Sequence, residues 1–222
     1  MTDSKLQRLN MVESQVRTSD VTDRRIIKAM LEVPREKFVP AALASMAYMD
    51  EPVPVGPVNG ANPRVLLAPR TFAKLAQLAE IGPEAVVLDV GCATGYSTAV
   101  LARLAKRVVA VEVDPGLAQT ARRLLAEFGA SNAVVVEGPL AAGAPAEARF
   151  AVIFVNGAVE MVAPSLLEQL EDGGRLVAIV TEGAMSRAEV WRRTGQSFDT
   201  RPAFEAGTTL LPGFERPAGF VF

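Results

Sequence analysis

A short segment with one acid and two glycines is the part of the sequence best suited to binding a ligand. Asp89 lies near the end of an apolar run, and Gly91 and Gly95 follow it at the spacing D-x-G-x-x-x-G. Glycines at a tight strand-to-helix turn let a ligand approach the backbone closely, and such a turn can demand positive φ. Amides at the start of the following helix would face the crevice at the strand ends. The alternative interpretation is a tight turn without a ligand.

A second acid, Glu112, closes the next apolar run, 21 residues after Gly91. A carboxylate at a strand end can accept two hydrogen bonds from a ribose diol, whereas alone it would equally suit a solvated charge. Combined with the glycine turn, Glu112 is predicted to bind a ribose. The turn departs from the G-x-G-x-x-G spacing of dinucleotide-binding proteins, because Ala93 and Tyr96 stand at two of its glycine positions.

The composition excludes several kinds of chemistry. The sequence has no histidine, so histidine triads, histidine metal sites and histidine general bases are excluded, and we predict no metal. The one cysteine, Cys92, cannot form an internal disulfide, which is typical of a reducing compartment. The net charge of -2 argues against a nucleic-acid surface driven by bulk charge. The polar N-terminus and the lack of a long apolar run lead us to expect a cytoplasmic protein without nucleic-acid or membrane partners.

Beyond residue 80, short apolar and β-branched runs alternate with helix-like segments. The predicted strands are 85–90, 108–111, 133–136, 150–155 and 175–180, and the predicted helices are 70–80, 95–104, 117–128 and 163–170. This alternation is typical of βαβ units, and runs this apolar suit parallel strands covered on both faces. The right-handed crossover rule then predicts an α/β fold with a doubly wound, mostly parallel, Rossmann-like sheet.

The flanking segments have a different character. Two amphipathic helices are predicted over 4–18 and 22–33, and a shorter one over 41–48. Residues 49–69 are rich in proline and glycine, which predicts a shaped loop with little regular structure. At the other end, 189–194 and 198–204 flank Gly195 and predict an antiparallel hairpin at the sheet edge.

The glycine turn resembles motif I of class I methyltransferases that use S-adenosylmethionine (AdoMet), with Ala93 in place of a frequent middle glycine. Further segments resemble the protein-L-isoaspartate O-methyltransferases, and the resemblance covers about residues 10–182. These segments are M-V-E-S-Q-V-R at 11–17, I-K-A-M at 27–30, V-P-R-E-K-F-V-P at 33–40, A-Y-M-D-E-P-V-P-V-G at 47–56 and L-L-E-Q-L-E-D-G-G-R-L at 166–176.

The resemblance implies an enzyme of protein repair that passes a methyl group from AdoMet to the side-chain carboxylate of isoaspartyl residues in damaged proteins or peptides. We expect one methyltransferase domain over 1–222, with a helical extension and substrate-side loop in 1–80, the AdoMet-binding core in 81–182 and C-terminal strands in 183–222. No catalytic residue is assigned. The resemblance implies cofactor contacts at Asp89, Gly91, Cys92, Ala93, Gly95, Glu112, Val113, Gly138, Pro139, Leu140 and Asn156.

Three positions depart from the family pattern. The hydroxyl-bearing loop of the family is replaced by V-L-L-A-P at 65–69, Pro139 stands where an acid helps to hold the adenine, and Ala151 replaces an aspartate. Asn156 either orients a substrate or caps the next turn.

Two arginines flank the altered loop. Arg64 and Arg70 could each hold a carboxylate, or could be solvated surface arginines.

Two rival interpretations remain open. The first is a diverged homologue that keeps the fold, with or without AdoMet binding, and either methylates another small acceptor or acts as a non-catalytic binding protein. The second is a nicotinamide oxidoreductase, which the missing third glycine and the lack of histidine disfavour.

Overall fold

The computed structural model describes residues 4–56, 63–147 and 149–216. Its strands are β1 Val53–Pro54, β2 Val65–Leu66, β3 Val86–Val90, β4 Arg107–Glu112, β5 Ala133–Glu137, β6 Phe150–Val159, β7 Leu170–Glu182, β8 Met185–Thr194 and β9 Ser197–Glu205. Seven of them form one sheet in the order β5-β4-β3-β6-β7-β8-β9, while β1 and β2 form a separate antiparallel pair.

Six α-helices lie in the described part of the chain, joined by short 3₁₀ turns. They are α1 Ser4–Met11, α2 Arg24–Glu32, α3 Pro69–Leu78, α4 Tyr96–Leu101, α5 Pro115–Glu127 and α6 Pro164–Glu168. The first helix continues as a π-helical turn over Val12–Val16, so the predicted helix 4–18 is correct in extent but not uniform. The segment predicted as a helix over 41–48 is a 3₁₀ helix, Ala41–Met46. None of the described helices is long and apolar enough to cross a membrane.

The strand order confirms the predicted doubly wound sheet. Strands β3 to β7 run parallel, with Val90 of β3 in register with Val111 of β4 on one side and Val155 of β6 on the other. The chain therefore proceeds outward from β3 through β4 and β5, then returns to place β6 on the opposite side. The carboxyl end of β3 lies at this reversal, where open α/β sheets bind their ligands.

Both faces of the central strands are covered, which explains why these strands are uninterrupted apolar runs. One core layer packs Val87 against α3, α4, α5 and the N-terminal helices. The other packs Leu88 and Val90 against α6 and the C-terminal segment that contains Leu211. The two residue sets alternate along β3, as the pleat requires.

The C-terminal hairpin and the loop before α3 agree with the sequence prediction where the structure describes them. Strands β8 and β9 continue the sheet antiparallel, and Gly195 turns between them at a φ of 61°, which confirms the hairpin. The loop expected over 49–69 is irregular where described, apart from the β1–β2 pair, and its residues 57–62 lie outside the described part.

Candidate functional site

The turn after β3 has the shape that its sequence predicts. Gly91 and Gly95 have φ angles of 80° and 92°, and Ala93 between them lies at 51°, a region that L-residues other than glycine rarely adopt. The amide of Gly91 donates to the Val111 carbonyl of the neighbouring strand at 2.8 Å. The turn is thus fixed to the end of β4, and it brings the backbone of the turn close to Glu112.

Asp89 lies beneath this turn and is fully buried. Its Oδ2 accepts hydrogen bonds from the hydroxyls of Ser97 and Thr98, each at 2.7 Å, so it joins β3 to the first turn of α4. Burial raises the pKa of Asp89 to about 6, although both hydroxyls act to lower it. Asp89 therefore holds the turn in place through the side chains of Ser97 and Thr98.

Glu112 is fully buried at the end of β4 and accepts four hydrogen bonds. Its Oε2 accepts from the Ala93 amide at 2.7 Å and from Arg64 Nη2 at 2.8 Å. Its Oε1 accepts from the amides of Val113 and Asp114 at 3.0 and 3.2 Å. The structure thus places the predicted ribose acid directly beside the glycine turn, as the spacing of the two motifs requires.

Arg64 is buried, which contradicts its interpretation as a solvated surface arginine. It is 8% exposed, and besides Glu112 its Nη2 contacts the Gly91 carbonyl oxygen at 3.0 Å. The reason is that its backbone is anchored: the Arg64 carbonyl accepts from the Val55 amide at 2.9 Å beside the β1–β2 pair. From that position the side chain reaches over the turn. Arg70, by contrast, is exposed and pairs with Asp50 at 3.2 Å.

Asn156 lies at the carboxyl side of the parallel sheet and is 3% exposed. Its Nδ2 donates to Ser97 Oγ at 2.8 Å and to the Gly91 carbonyl at 3.3 Å. Neither bond caps the turn that follows Asn156, so the capping interpretation is wrong. Asn156 instead connects β6 to the glycine turn.

The remaining predicted residues lie at the same edge of the sheet, some exposed and some buried. The Gly138 amide donates to the Glu112 carbonyl at 3.1 Å, which ties the end of β5 to the end of β4. Val113, directly after Glu112, and Pro139 are exposed apolar residues, whereas Leu140 is buried in the core layer that contains Leu88 and Val90. Cys92 is fully buried within the turn.

The altered loop is held by an arginine that the sequence did not single out. Arg35 is fully buried, and it donates to the carbonyls of Ala47 and Leu67 at 2.6 and 2.7 Å while lying over the Tyr96 ring. Leu67 is itself 2% exposed. The N-terminal extension therefore fixes the backbone of this loop next to α4, and no hydroxyl side chain is present at 65–69.

A groove of about 920 Å³ opens beside this loop, between α3 and the β7–β8 turn. It is lined on one side by Ala68, Arg70 and Lys74, and on the other by Arg187 and Phe204. Because the β7–β8 turn follows the carboxyl end of β7, the groove lies at the same edge of the sheet as the glycine turn. Among the described residues, no three acidic or cysteine side chains cluster as metal ligands do.

The sequence pattern predicted the turn, Glu112 and Asn156 as site residues but not the residues that surround them. Ser97 and Thr98 follow the turn directly, and their position in the first turn of α4 could have suggested them as partners of Asp89. Leu211, which lies 3.2 Å from the position of a Cβ on Gly91, carries no signal in the sequence. The burial of Arg64 also depends on tertiary structure alone.

Most of this chain matches one known protein family. Residues 7–205 match the model of the protein-L-isoaspartate(D-aspartate) O-methyltransferase family. The protein-L-isoaspartate O-methyltransferase of Methanoregula boonei is 38% identical over 192 residues, covering 86% of each chain. Protein-L-isoaspartate O-methyltransferase 2 of Shewanella sediminis is 39% identical over 170 residues, which cover 77% of this chain and 68% of that protein.

Solved structures show the same fold. A protein-L-isoaspartate O-methyltransferase structure aligns with 95% of this chain and 66% of its own at a TM-score of 0.80 and 24% identity. A Plasmodium falciparum structure of the same designation, crystallised with S-adenosyl-L-homocysteine, aligns over 95% of this chain and 99% of its own at a TM-score of 0.77 and 17% identity.

Proposed function

This chain belongs to the protein-L-isoaspartate(D-aspartate) O-methyltransferase family, and from that premise we propose that it transfers a methyl group from AdoMet to the side-chain carboxylate of isoaspartyl residues in damaged proteins. The observation that carries the proposal is the extent of the match. It includes the N-terminal extension and the loop next to the site as well as the common methyltransferase core.

The site residues fit an AdoMet molecule in their chemistry. Glu112 offers a buried carboxylate for the ribose, and Gly91 lacks a side chain where the backbone must be approached closely. Val113 and Pro139 give exposed apolar surface for the adenine, with Pro139 able to pack on the ring but unable to replace the missing acid as an acceptor. When bound, the cofactor supplies an electrophilic methyl group on a sulfonium.

The acceptor chemistry suits a site without histidine. A carboxylate is already an anionic nucleophile near neutral pH, so methyl transfer to it needs alignment and removal of water more than a general base. Asn156 lies beside the glycine turn, next to the region where alignment would be set. It is nearly fully buried and is held by hydrogen bonds to Ser97 and the Gly91 carbonyl, which is the rigidity that such positioning requires.

The groove beside α3 supports a polypeptide as the acceptor. An opening of about 920 Å³ is larger than a single side chain needs, and it continues from the loop at Ala68 to the β7–β8 turn. Lys74, Glu51 and the exposed Arg70–Asp50 ion pair offer polar partners for a peptide backbone and its side chains. We infer that the flanking residues of an acceptor peptide lie in this groove.

The direct test incubates the purified protein with AdoMet labelled on the methyl group and a peptide that carries one isoaspartyl residue. Base-labile methyl ester on that peptide is the expected product, and the same peptide with an ordinary aspartyl residue serves as the control. If AdoMet binds but neither peptide is esterified, the acceptor assignment is wrong. If neither AdoMet nor S-adenosylhomocysteine binds, the cofactor assignment is wrong as well.

A further inference from the structure

A side chain of the protein itself occupies the place expected for the cofactor. Arg64 Nη2 lies 2.8 Å from Glu112 Oε2 and 3.0 Å from the Gly91 carbonyl oxygen. Glu112 is the acid proposed to hold the ribose, and Gly91 is the glycine proposed to let the cofactor approach the backbone. One guanidinium therefore contacts both groups at once, and it does so while 8% exposed.

Leu211 packs against the same turn, beside Arg64. Its side-chain carbons lie 3.2 Å from the position of a Cβ on Gly91 and 2.5 Å from that of a Cβ on Gly157. The Leu211 amide donates to the Ala158 carbonyl at 2.8 Å, which fixes the C-terminal segment against β6. The space that two glycines leave open is thus filled by Leu211, and together with Arg64 it closes the cleft over the turn.

The hydrogen-bonding capacity of Glu112 makes this arrangement incompatible with a bound ribose. A carboxylate offers about four acceptor positions. Glu112 already accepts four hydrogen bonds, so none of these positions is left for a ribose hydroxyl. Three of the donors are backbone amides of the turn and of the residues directly after β4, which are fixed by the fold. Arg64 is the one donor on a flexible side chain, so it is the donor that must leave.

Few hydrogen bonds hold the Arg64 guanidinium in this position. Arg64 Nε and Nη1 are buried and have no hydrogen-bond partner among the described residues, so a single nitrogen holds the guanidinium. Withdrawal of Arg64 costs stability because it takes the cation away from a buried carboxylate, but three backbone amides continue to donate to Glu112 and a ribose hydroxyl can replace the lost donor. Release of Arg64 to solvent would hydrate the two unpaired nitrogens, and this lowers the cost of opening.

We propose that Arg64 and Leu211 form an internal plug of the AdoMet cleft, which must withdraw before the cofactor binds. This inference rests on the proposed function, since it assigns the same cleft to AdoMet. The apparent affinity for the cofactor is then reduced by the fraction of molecules that are closed, as for any protein whose binding-competent state is partly populated. Removing either half of the plug should tighten binding.

The first test measures S-adenosylhomocysteine binding by calorimetry for the wild type, Arg64→Ala and Leu211→Ala. We expect the dissociation constant to fall at least fivefold in Arg64→Ala and measurably in Leu211→Ala. Arg123→Ala is the matched control, because Arg123 is an exposed arginine of α5 paired only with Glu127 among the described residues, and its dissociation constant should stay within twofold of the wild type. Weaker binding by Arg64→Ala would mean that Arg64 holds the cofactor, and would overturn the plug.

The second test uses the wild-type protein and does not depend on the folding of a variant. Phenylglyoxal modifies accessible arginines, and mass spectrometry reports its attachment at each position. Labelling of Arg64 should rise at least severalfold when S-adenosylhomocysteine saturates the protein, while labelling of Arg123 stays constant. Unchanged or reduced labelling of Arg64 on binding would contradict the proposal.

The outcomes separate this inference from the proposed function. If the wild type and Arg64→Ala bind S-adenosylhomocysteine with equal affinity and Arg64 labelling does not change, the plug is wrong and the proposed function stands. If the wild type and both variants fail to bind at millimolar ligand, the cofactor assignment itself is wrong, and the proposed plug is wrong as well.

Discussion

The Oδ2 atom of Asp89 lies 2.7 Å from the Oγ atom of Ser97, and this bond joins the last part of β3 to the first turn of α4. Ser97 Oγ also accepts from Asn156 Nδ2 at 2.8 Å, so the bond extends to the end of β6. The glycine turn therefore rests on a buried polar chain that spans two neighbouring strands and one helix. We infer that Asp89 serves the site by fixing the shape of this turn.

The buried carboxyl of Asp89 should make stability depend on pH. Its pKa in the folded protein is raised by burial to about 6, above the ordinary value of 3.8, so the folded state binds an extra proton between about pH 4 and pH 6. The free energy of unfolding should therefore decrease as pH rises through this range, by about 3 kcal/mol from this group. Asp89→Asn removes the titration, and urea unfolding at several pH values would measure the difference.

The matched control for this measurement is Asp199→Asn, the same chemical change at an exposed position of β9. Its unfolding free energy should follow the wild-type pH profile. If Asp89→Asn and the wild type instead give parallel profiles between pH 4 and pH 7, the buried carboxyl does not titrate in this range and the expectation is wrong.

The left-handed conformation of Ala93 should carry a measurable cost. An alanine at a φ of 51° places its Cβ close to the following carbonyl, at a cost of about 1 kcal/mol that glycine avoids. Ala93→Gly relieves this strain but also removes a fully buried methyl group, so the free energy of unfolding should change by less than about 1 kcal/mol. Ala121→Gly, at a buried position within α5, loses its methyl group without relief of strain and should lower the free energy of unfolding by more than about 1 kcal/mol, because glycine also disfavours helix. Equal losses for the two variants would refute the argument from φ.

Much of the fold could be predicted because its central strands are covered on both faces. Such strands must be apolar throughout, and this signal located β3 and β4 to within a residue or two. The same signal did not locate the end of β6 or the start of β7, because apolar residues give way to polar residues and glycines within these strands. β6 continues through Asn156 and Gly157 to Val159, and β7 begins at Leu170, before the acidic and glycine-rich stretch that reads as a turn.

Only the part of the site that follows successive strands of the sheet could be predicted from the sequence. The glycine turn and Glu112 follow successive strands, so parallel pairing alone brings them together. Arg64 reaches Glu112 across 48 positions of the chain, and nothing in its neighbours distinguishes it from the exposed Arg70. Its position depends on how the N-terminal extension folds over the sheet, which no local pattern determines.

Cys92 should be unreactive in the native protein. It is fully buried, and burial raises the pKa of its thiol well above the ordinary value, so very little thiolate is present. Reaction with a disulfide reagent at pH 8 should be at least ~100-fold slower for the native protein than after unfolding in guanidinium chloride, because the thiol must first be exposed by local unfolding. Rapid stoichiometric labelling of the native protein would show that the turn opens far more readily than its hydrogen bonds indicate.

Glu112 should dominate the affinity for the cofactor. Glu112→Ala removes the carboxylate proposed to accept a ribose hydroxyl in the position that Arg64 vacates, and the loss of this charge-assisted hydrogen bond should raise the dissociation constant for S-adenosylhomocysteine at least about tenfold. Glu137→Ala is a close control, since Glu137 occupies the register position next to Glu112 on β5 but pairs with Arg122 at the surface. Its dissociation constant should stay within twofold of the wild type. Circular dichroism must show both variants folded, because Arg64 loses its buried partner in Glu112→Ala. Equal affinities for the two folded variants would remove Glu112 from the cofactor site.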